Sequence, residues 1–375
     1  MMFKKWNWQS AEWPNFTYNA TKLESLERDF AYQSGLLKGT VKHITKEDKS
    51  FLMIELMSNE ALKTSEIEGH YLDRESLQSS IRKNLGLEGP NRKATPEESG
   101  ISEMMVDLYQ HFDTPLTHQQ FFDWHEMVCR GRHDLDEIGR YRTHEEPMQV
   151  VSNRLDNHPK VFFEAPPSKV MHQEMEQFID WFNATAPRQN NALLPLVRAG
   201  IAHFYFLCIH PFEDGNGRIA RAISEKALSQ NAGQASLISI SRTIEAKKRD
   251  YYGNLEAHNY TCELSDWLIY FGQTVVNSQK HTLALIEWLV QKAKFYDHFN
   301  TMMNERQQKV VGRLFRAGPA GFDGGLSAQN YVRITKTSQS TATRDLQDMV
   351  SKGILRSTGE RKGTRYWLSI GTNVF

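Results

Sequence analysis

His210-Pro211-Phe212-Glu213-Asp214-Gly215-Asn216-Gly217-Arg218-Ile219-Ala220-Arg221 lies between two apolar-periodic runs, about 193–208 and 217–230. It therefore reads as a loop feeding a helix N-terminus. Gly215 and Gly217 let the backbone come close to a ligand and turn its N–H groups inward. The helix starting near Gly217 adds unpaired N–H groups and the positive end of its dipole. Arg218 and Arg221, three apart, share a helix face and bring forked donors suited to phosphate oxygens. Together these features predict a cradle for a polyphosphate.

The rest of the stretch supplies groups for chemistry on such a ligand. Asp214 is a single carboxylate beside the cradle, which suits Mg²⁺, a cation that keeps several waters. Asn216 can donate to a phosphate oxygen, and Phe212 is expected to turn inward as an apolar anchor. His210 titrates near neutral pH and stands before Pro211, which is expected to hold it extended, and it can take a proton from an attacking hydroxyl. A base, a metal ligand and an anion cradle fit nucleotidyl or phosphoryl transfer. No Gly-Lys-Ser/Thr follows, so this is not a Walker loop.

Around this loop the sequence is mostly helical. Runs at about 51–68, 72–85, 101–110, 118–129, 169–183 and 245–299 carry helical periodicity, and the Gly/Pro-rich segment 85–99 reads as a long loop. Between Gly139 and Pro167 two β-prone runs, Gln149–Ser152 and Lys160–Phe163, predict a hairpin. From 306 to 369 the order is helix, helix, helix and a basic turn before a strand, the outline of a winged helix-turn-helix.

Composition bounds the alternatives. Hydrophobic residues are 39% and charged residues 24%, which excludes large-scale disorder. With 45 Lys plus Arg against 45 Asp plus Glu the chain is neutral, which excludes a uniformly basic nucleic-acid coat. Residues 301–375, however, hold 12 basic against 5 acidic side chains. Cys129, Cys208 and Cys262 form no CxxC pair and predict reduced, buried thiols. Neither a signal peptide nor an apolar run of the ~18 residues that span a bilayer is legible, so no membrane partner and a cytoplasmic location are expected.

The His210–Arg221 stretch closely resembles the signature of the Fic family, His-Pro-Phe-x-Asp/Glu-Gly-Asn-Gly-Arg-x-x-Arg, with every specified position filled. The resemblance implies a mainly α fold: a Fic helical core with a β-hairpin flap over about 96–295, an N-terminal helical region in 1–95, and a C-terminal winged helix-turn-helix in 296–375. It implies a protein adenylyltransferase that moves AMP from ATP to a Ser, Thr or Tyr hydroxyl of a target protein or of itself. His210 then resembles the base, Asp214 the Mg²⁺ ligand and Asn216 the holder of the α-phosphate. Gly215, Gly217 and Arg218 resemble the phosphate cradle and Arg221 the γ-phosphate ligand.

Tyr251, Tyr252 and Asn259 are similar to the residues around the adenine; core packing is the alternative for either tyrosine. Gly139-Arg140-Tyr141-Arg142 and Met148-Gln149-Val150-Val151 resemble the lead-in and edge of the flap, which captures an extended target segment by strand pairing. An ordinary surface hairpin is the alternative. Thr64-Ser65-Glu66-Ile67-Glu68-Gly69 is similar to the family's inhibitory motif, in which Glu68 pairs with Arg221 and displaces the γ-phosphate. Some relatives with this glutamate also remove AMP. Trp6, Trp8 and Trp13-Pro14-Phe16 look like an N-terminal domain joined to this class and read as packing.

A rival reading is a DNA-binding regulator with the core as nucleotide sensor. The segment Thr341–Leu346 resembles a recognition helix, and Arg361, Lys362 and Arg365 sit on the wing. Such a module also serves for protein docking or dimerisation, so DNA, protein and homodimer all stay open as its partners.

Overall fold

The run Pro195–Ile209 is apolar around its whole circumference, and a helix of that kind is stable only when others wrap it. The computed structural model describes residues 5–42, 44–89, 92–152, 159–236, 238–318, 322 and 324–370 and supplies that wrapping. The chain forms two compact units, residues 1–38 with 50–282 and residues 39–49 with 283–375.

In chain order the elements are α1 (Glu24–Val41), α2 (Lys46–Ile67), α3 (Arg74–Asn84), α4 (Pro96–Gln110), α5 (His118–Val128), the strands β1 (Gln149–Val151) and β2 (Val161–Glu164), then α6 (Met171–Ala184) and α7 (Pro195–Ile209). There follow α8 (Asn216–Ala232), α9 (Ile240–Ala246), α10 (Lys248–His258) and α11 (Ser265–Phe299). The last elements are α12 (Glu305–Arg316), α13 (Ala328–Thr335), α14 (Gln339–Ser351), β3 (Leu355–Thr358) and β4 (Arg365–Leu368). The fold is mainly α with two small antiparallel hairpins, as the sequence implied.

In the first unit α7 packs along α8, and both are buried on nearly every side. This pair fixes the two ends of the His210–Arg221 stretch. Phe121, Phe178, Phe182, Phe206 and Trp124 fill the core beside it. Local chemistry sets the boundaries. Thr95 and Glu98 form a capping box with Pro96 in the first turn of α4, so two of its orphan N–H groups are satisfied. Glu27 of α1 accepts from the N–H groups of Leu196 (2.9 Å) and Val197 (3.2 Å), capping α7 from another helix.

The opening segment packs into this unit. Trp6 stacks on Tyr260 at 4.8 Å and meets Phe163 edge-on, while Trp13 meets Tyr205 at 5.1 Å. Cys129, Cys208 and Cys262 are free and buried. No helix among the described residues is long and apolar enough to cross a membrane.

In the second unit α12, α13, α14 and the β3–β4 hairpin surround Val310, Leu314, Tyr331, Leu346, Met349 and Leu368. Leu326 bridges to Tyr366 beside the hairpin. Lys362, assigned to the wing, has a side chain outside the described residues.

Three elements escaped the sequence reading, among them α9, which at seven residues is too short to show helical periodicity. Helix α1 buries only Leu26 and Phe30 and contains Gly35 and Gly39, so its periodicity is weak. Strand β3 is exposed beyond Leu355, and its residues give no alternating signal.

Candidate functional site

His210 is not extended as the following proline predicts; it caps α7 in the left-handed conformation (φ 50°), because its N–H still bonds to the Phe206 carbonyl at 3.0 Å. Its Nδ1 lies 3.2 Å from the Leu207 carbonyl. A proton on Nδ1 satisfies that contact and leaves Nε2 as the free base. Burial, reinforced by the nearby Arg142 guanidinium, lowers its pKa to about 4, so the imidazole is neutral at pH 7. Phe212 is buried and stacks on His125 at 4.0 Å. Asn216 braces the loop from within: its Oδ1 accepts from the Phe212 N–H (3.1 Å) and its Nδ2 donates to the Phe212 carbonyl (2.7 Å).

Asp214 faces the helix N-terminus. Burial raises its pKa, but Arg218, the Gly215 N–H at 2.6 Å and Arg132 together outweigh that and hold it below the ordinary carboxylate value. An ionised oxygen is therefore ready for a hard cation such as Mg²⁺, although Arg132 now occupies it. Gly215 has φ +81°, a region costly for other residues, and it turns the chain into α8.

The two arginines of α8 are both buried but differ in their partners. Arg221 donates from Nε to Thr64 Oγ1 (2.7 Å) and from Nη2 to the Thr64 carbonyl (3.0 Å) and Glu68 Oε1 (2.7 Å). Arg218 reaches the Val128 carbonyl at 3.3 Å, while its Nε and Nη2 are buried with no hydrogen-bond partner. Glu68 projects from the end of α2 into the cradle: a Cβ on Gly217 would lie 2.2 Å from its Oε1. Unpaired buried donors beside an inserted carboxylate mark an anion site.

Sequence comparison places this geometry. Residues 115–228 match the Fic/DOC family and residues 6–87 match a domain of unknown function, DUF4172. Protein adenylyltransferase fic-1 of Caenorhabditis elegans is 25% identical over 200 residues, 52% of this chain and 35% of that protein. Protein adenylyltransferase Fic of Nematostella vectensis is 27% identical over 199 residues, 52% of this chain and 41% of that protein. The chain thus spans well under two thirds of these relatives. Protein adenylyltransferase Fic of Drosophila mojavensis is 41% identical over 85 residues, 23% of this chain and 15% of that protein. In fold, the chain is similar to a Fic family protein from Desulfovibrio desulfuricans (TM-score 0.50, 20% identity, 92% of this chain and 95% of that one). It is also similar to Fic-1 of C. elegans (TM-score 0.51, 21% identity, 72% and 75%).

Beside the Fic loop, β1 and β2 pair antiparallel with Gln149 opposite Glu164 and Val150 opposite Phe163. Met148 accepts from the Ala165 N–H at 2.9 Å, and Val150 is exposed. The two strands make a sheet of their own, so β1 keeps an edge without a strand partner among the described residues. Asn259 lies behind the hairpin: its Nδ2 donates to the Phe162 carbonyl (2.9 Å), and its own carbonyl accepts from the Asn7 N–H (2.9 Å). Trp8 Nε1 donates to the Glu164 carbonyl at 2.6 Å, so the N-terminal segment also holds β2. Tyr251 is buried with its hydroxyl on His203 Nε2 at 2.8 Å, while Tyr252 is 41% exposed next to Glu68. The tyrosine pair thus divides into a packed member and an open one.

Several side chains of the site had no assigned role. Arg142 is buried and donates to the His210 carbonyl (2.8 Å), Ser168 Oγ (2.7 Å) and the Pro166 carbonyl (2.5 Å), joining the base to the hairpin. Burial lowers its pKa to about 10. Glu213 accepts from the Asp136 and Glu137 N–H groups at 3.0 and 3.2 Å. Arg132 and Thr64 complete the list of unassigned contacts. Thr64 was legible as the first residue of the six-residue motif, whereas Arg132 sits in a polar loop without periodicity.

Proposed function

We propose that this chain is an auto-inhibited protein adenylyltransferase that moves AMP from ATP to a Ser, Thr or Tyr hydroxyl of a target protein or of itself. The observation that carries this reading is Glu68 paired with Arg221 at 2.7 Å inside the cradle, with a neutral His210 in the same loop. The curated relatives bear the name protein adenylyltransferase, which supports the same reading.

The free donors of Arg218 and the α8 N-terminus bind the ATP phosphates. Tyr252 and Asn259 lie toward the adenine end. Asp214 would hold Mg²⁺ in place of Arg132, and the cation would supply neutralisation of charge on the phosphates. The target backbone pairs with β1 through Met148–Val151, which sets its hydroxyl in register. His210 Nε2 takes the hydroxyl proton as the oxygen bonds to the α-phosphorus. The bond from that phosphorus to the bridging oxygen breaks, and pyrophosphate leaves. With Glu68 in place, Arg221 cannot receive the γ-phosphate and the pose is unproductive. As the family resemblance implies, the same Glu68 would orient water for hydrolytic removal of AMP from a modified target.

The test is incubation with Mg²⁺ and ATP labelled at the α-phosphate. Glu68→Gly should label itself or added protein, and absence of label would sink the transferase reading.

A second reading concerns residues 301–375, which carry 12 Lys plus Arg against 5 Asp plus Glu. Arg344 on α14 and Arg356 and Arg361 at the hairpin are exposed. We propose a winged helix whose cations contact DNA phosphates. Salt-dependent binding of the full chain to duplex DNA supports it, and binding to no duplex removes it.

A further inference from the structure

His118 opens α5, and His172 and Glu176 sit four residues apart on one face of α6. The imidazoles of His118 and His172 stack with centroids 4.5 Å apart. His118 Nε2 lies 2.7 Å from Glu176 Oε2, and one ligand atom from each of the three residues falls within 4.8 Å of the others. Among the described residues this is the group of His, Cys, Asp and Glu side chains gathered closely enough to hold a metal ion. It lies outside the phosphate cradle and plays no part in the transfer described above.

We infer that His118, His172 and Glu176 form a site for a divalent transition metal of borderline softness, with Zn²⁺ the best fit. Two imidazoles and one carboxylate are a ligand set that zinc takes at about 2.0–2.2 Å, leaving a further position for water. Mg²⁺ prefers oxygen ligands and is a poor competitor for imidazole. His172 and Glu176 are exposed, so their side chains can swing inward by the small distance that closing the site requires.

His118 is already oriented for this role. Its Nδ1 contacts the Tyr141 hydroxyl at 2.8 Å, which leaves Nε2 directed at the site. That outer contact is the kind that fixes the tautomer and ring orientation of a ligating histidine. Tyr141 is buried, packs against Phe212 with centroids 5.5 Å apart, and precedes Arg142, which holds the His210 carbonyl. A bound ion therefore staples α5 to α6 and braces the wall behind the Fic loop.

The test uses the full chain, stripped with a chelator and titrated with Zn²⁺ alone by calorimetry and with Co²⁺ by visible absorption, in excess Mg²⁺. One equivalent bound, with the intense visible bands of low-coordinate Co²⁺, is expected. Zn²⁺ should also raise the thermal midpoint, because it binds the native state. His172→Ala combined with Glu176→Gln should lower affinity by at least about 100-fold, and Tyr141→Phe, which keeps the ring, by about 10-fold. Should the double variant melt early without metal, Glu176→Gln alone gives the readout, with a loss of at least about 10-fold. Absence of bound metal, or binding unchanged in these variants, overturns the proposal.

Discussion

Arg218 and Arg221 stand one turn apart on the same buried face of α8, yet the fold treats them differently. Arg221 spends its donors on Thr64 and Glu68 from α2, leaving Nη1 unpartnered, whereas Arg218 keeps Nε and Nη2 unpartnered. The first is an arginine already holding an anion supplied by its own chain. The second has only loose ion pairs, 3.9 Å to Asp214 and to Glu97, and keeps hydrogen-bond donors unspent. The proposed inhibition would need no change in the His210–Arg221 loop, because Glu68 occupies one of its two arginines. A carboxylate is the apt blocker, since it offers the oxygens a phosphate would present to the same fork.

The largest expected effect falls on the base that both arginines serve. In a Glu68→Gly background, His210→Ala should lower AMP transfer by about 10²–10⁴-fold while ATP still binds, checked by label incorporation against nucleotide titration. Retained activity would remove His210 from that role. In the same background Arg218→Ala should cost about 10²–10³-fold in transfer, the range for losing one donor at developing charge. Its thermal midpoint should fall less than that of Arg221→Ala, because its guanidinium makes one hydrogen bond, at 3.3 Å, and only 3.9 Å ion pairs. Arg221→Ala in the parent chain should lose about 2 kcal/mol in urea melts, because Thr64 and Glu68 lose a charged partner. If the two alanine variants destabilise equally, the contrast fails. Glu68→Gly alone should raise self-labelling roughly 5–150-fold, the span of an ordinary coupling free energy.

Two pH effects sharpen the picture. His210 must be neutral to accept a proton, and its pKa is lowered to about 4. Transfer by Glu68→Gly should therefore hold down to about pH 5 and fall as pH drops through 4, rather than near 6.5. The smaller effect concerns Glu60 of α2 and Glu225 of α8, both buried. Burial raises both, most of all Glu225, although Ser241 and Arg221 partly offset it for Glu60. Folded-state values above the ordinary 4.5 contribute stability that is present at low pH and lost as pH rises through the raised values. Unfolding free energies from urea melts should thus decline between the ordinary 4.5 and the raised values, by at most ~1.4 kcal/mol per pH unit for each proton released, and level off above them. Glu225→Gln should flatten the slope.

Much of the site was legible because its chemistry is contiguous. The Gly-Asn-Gly turn, the carboxylate before it and the arginines three apart lie within twelve residues, and the helix that follows fixes their faces. Periodicity gave α7 and α8 within a residue or two, because their burial is strong. The hairpin was legible from two β-prone runs, although its turn lies outside the described residues. What stayed hidden acts across long separations: Arg142 on the His210 carbonyl, Arg132 on Asp214 and Glu27 on the start of α7. Single charged residues of this sort leave no periodic mark.

The sequence by itself determined the loop and its charge, because glycine positions, helix spacing and side-chain identity are local properties. Whether a cation in that loop is free or already satisfied was decided by tertiary structure. Packing brings the end of α2 onto α8 across 153 residues of chain, placing Glu68 on Arg221 and leaving Nε and Nη2 of Arg218 without hydrogen-bond partners. Hydrogen-bond satisfaction depends on distance in space, and sequence separation does not encode that distance.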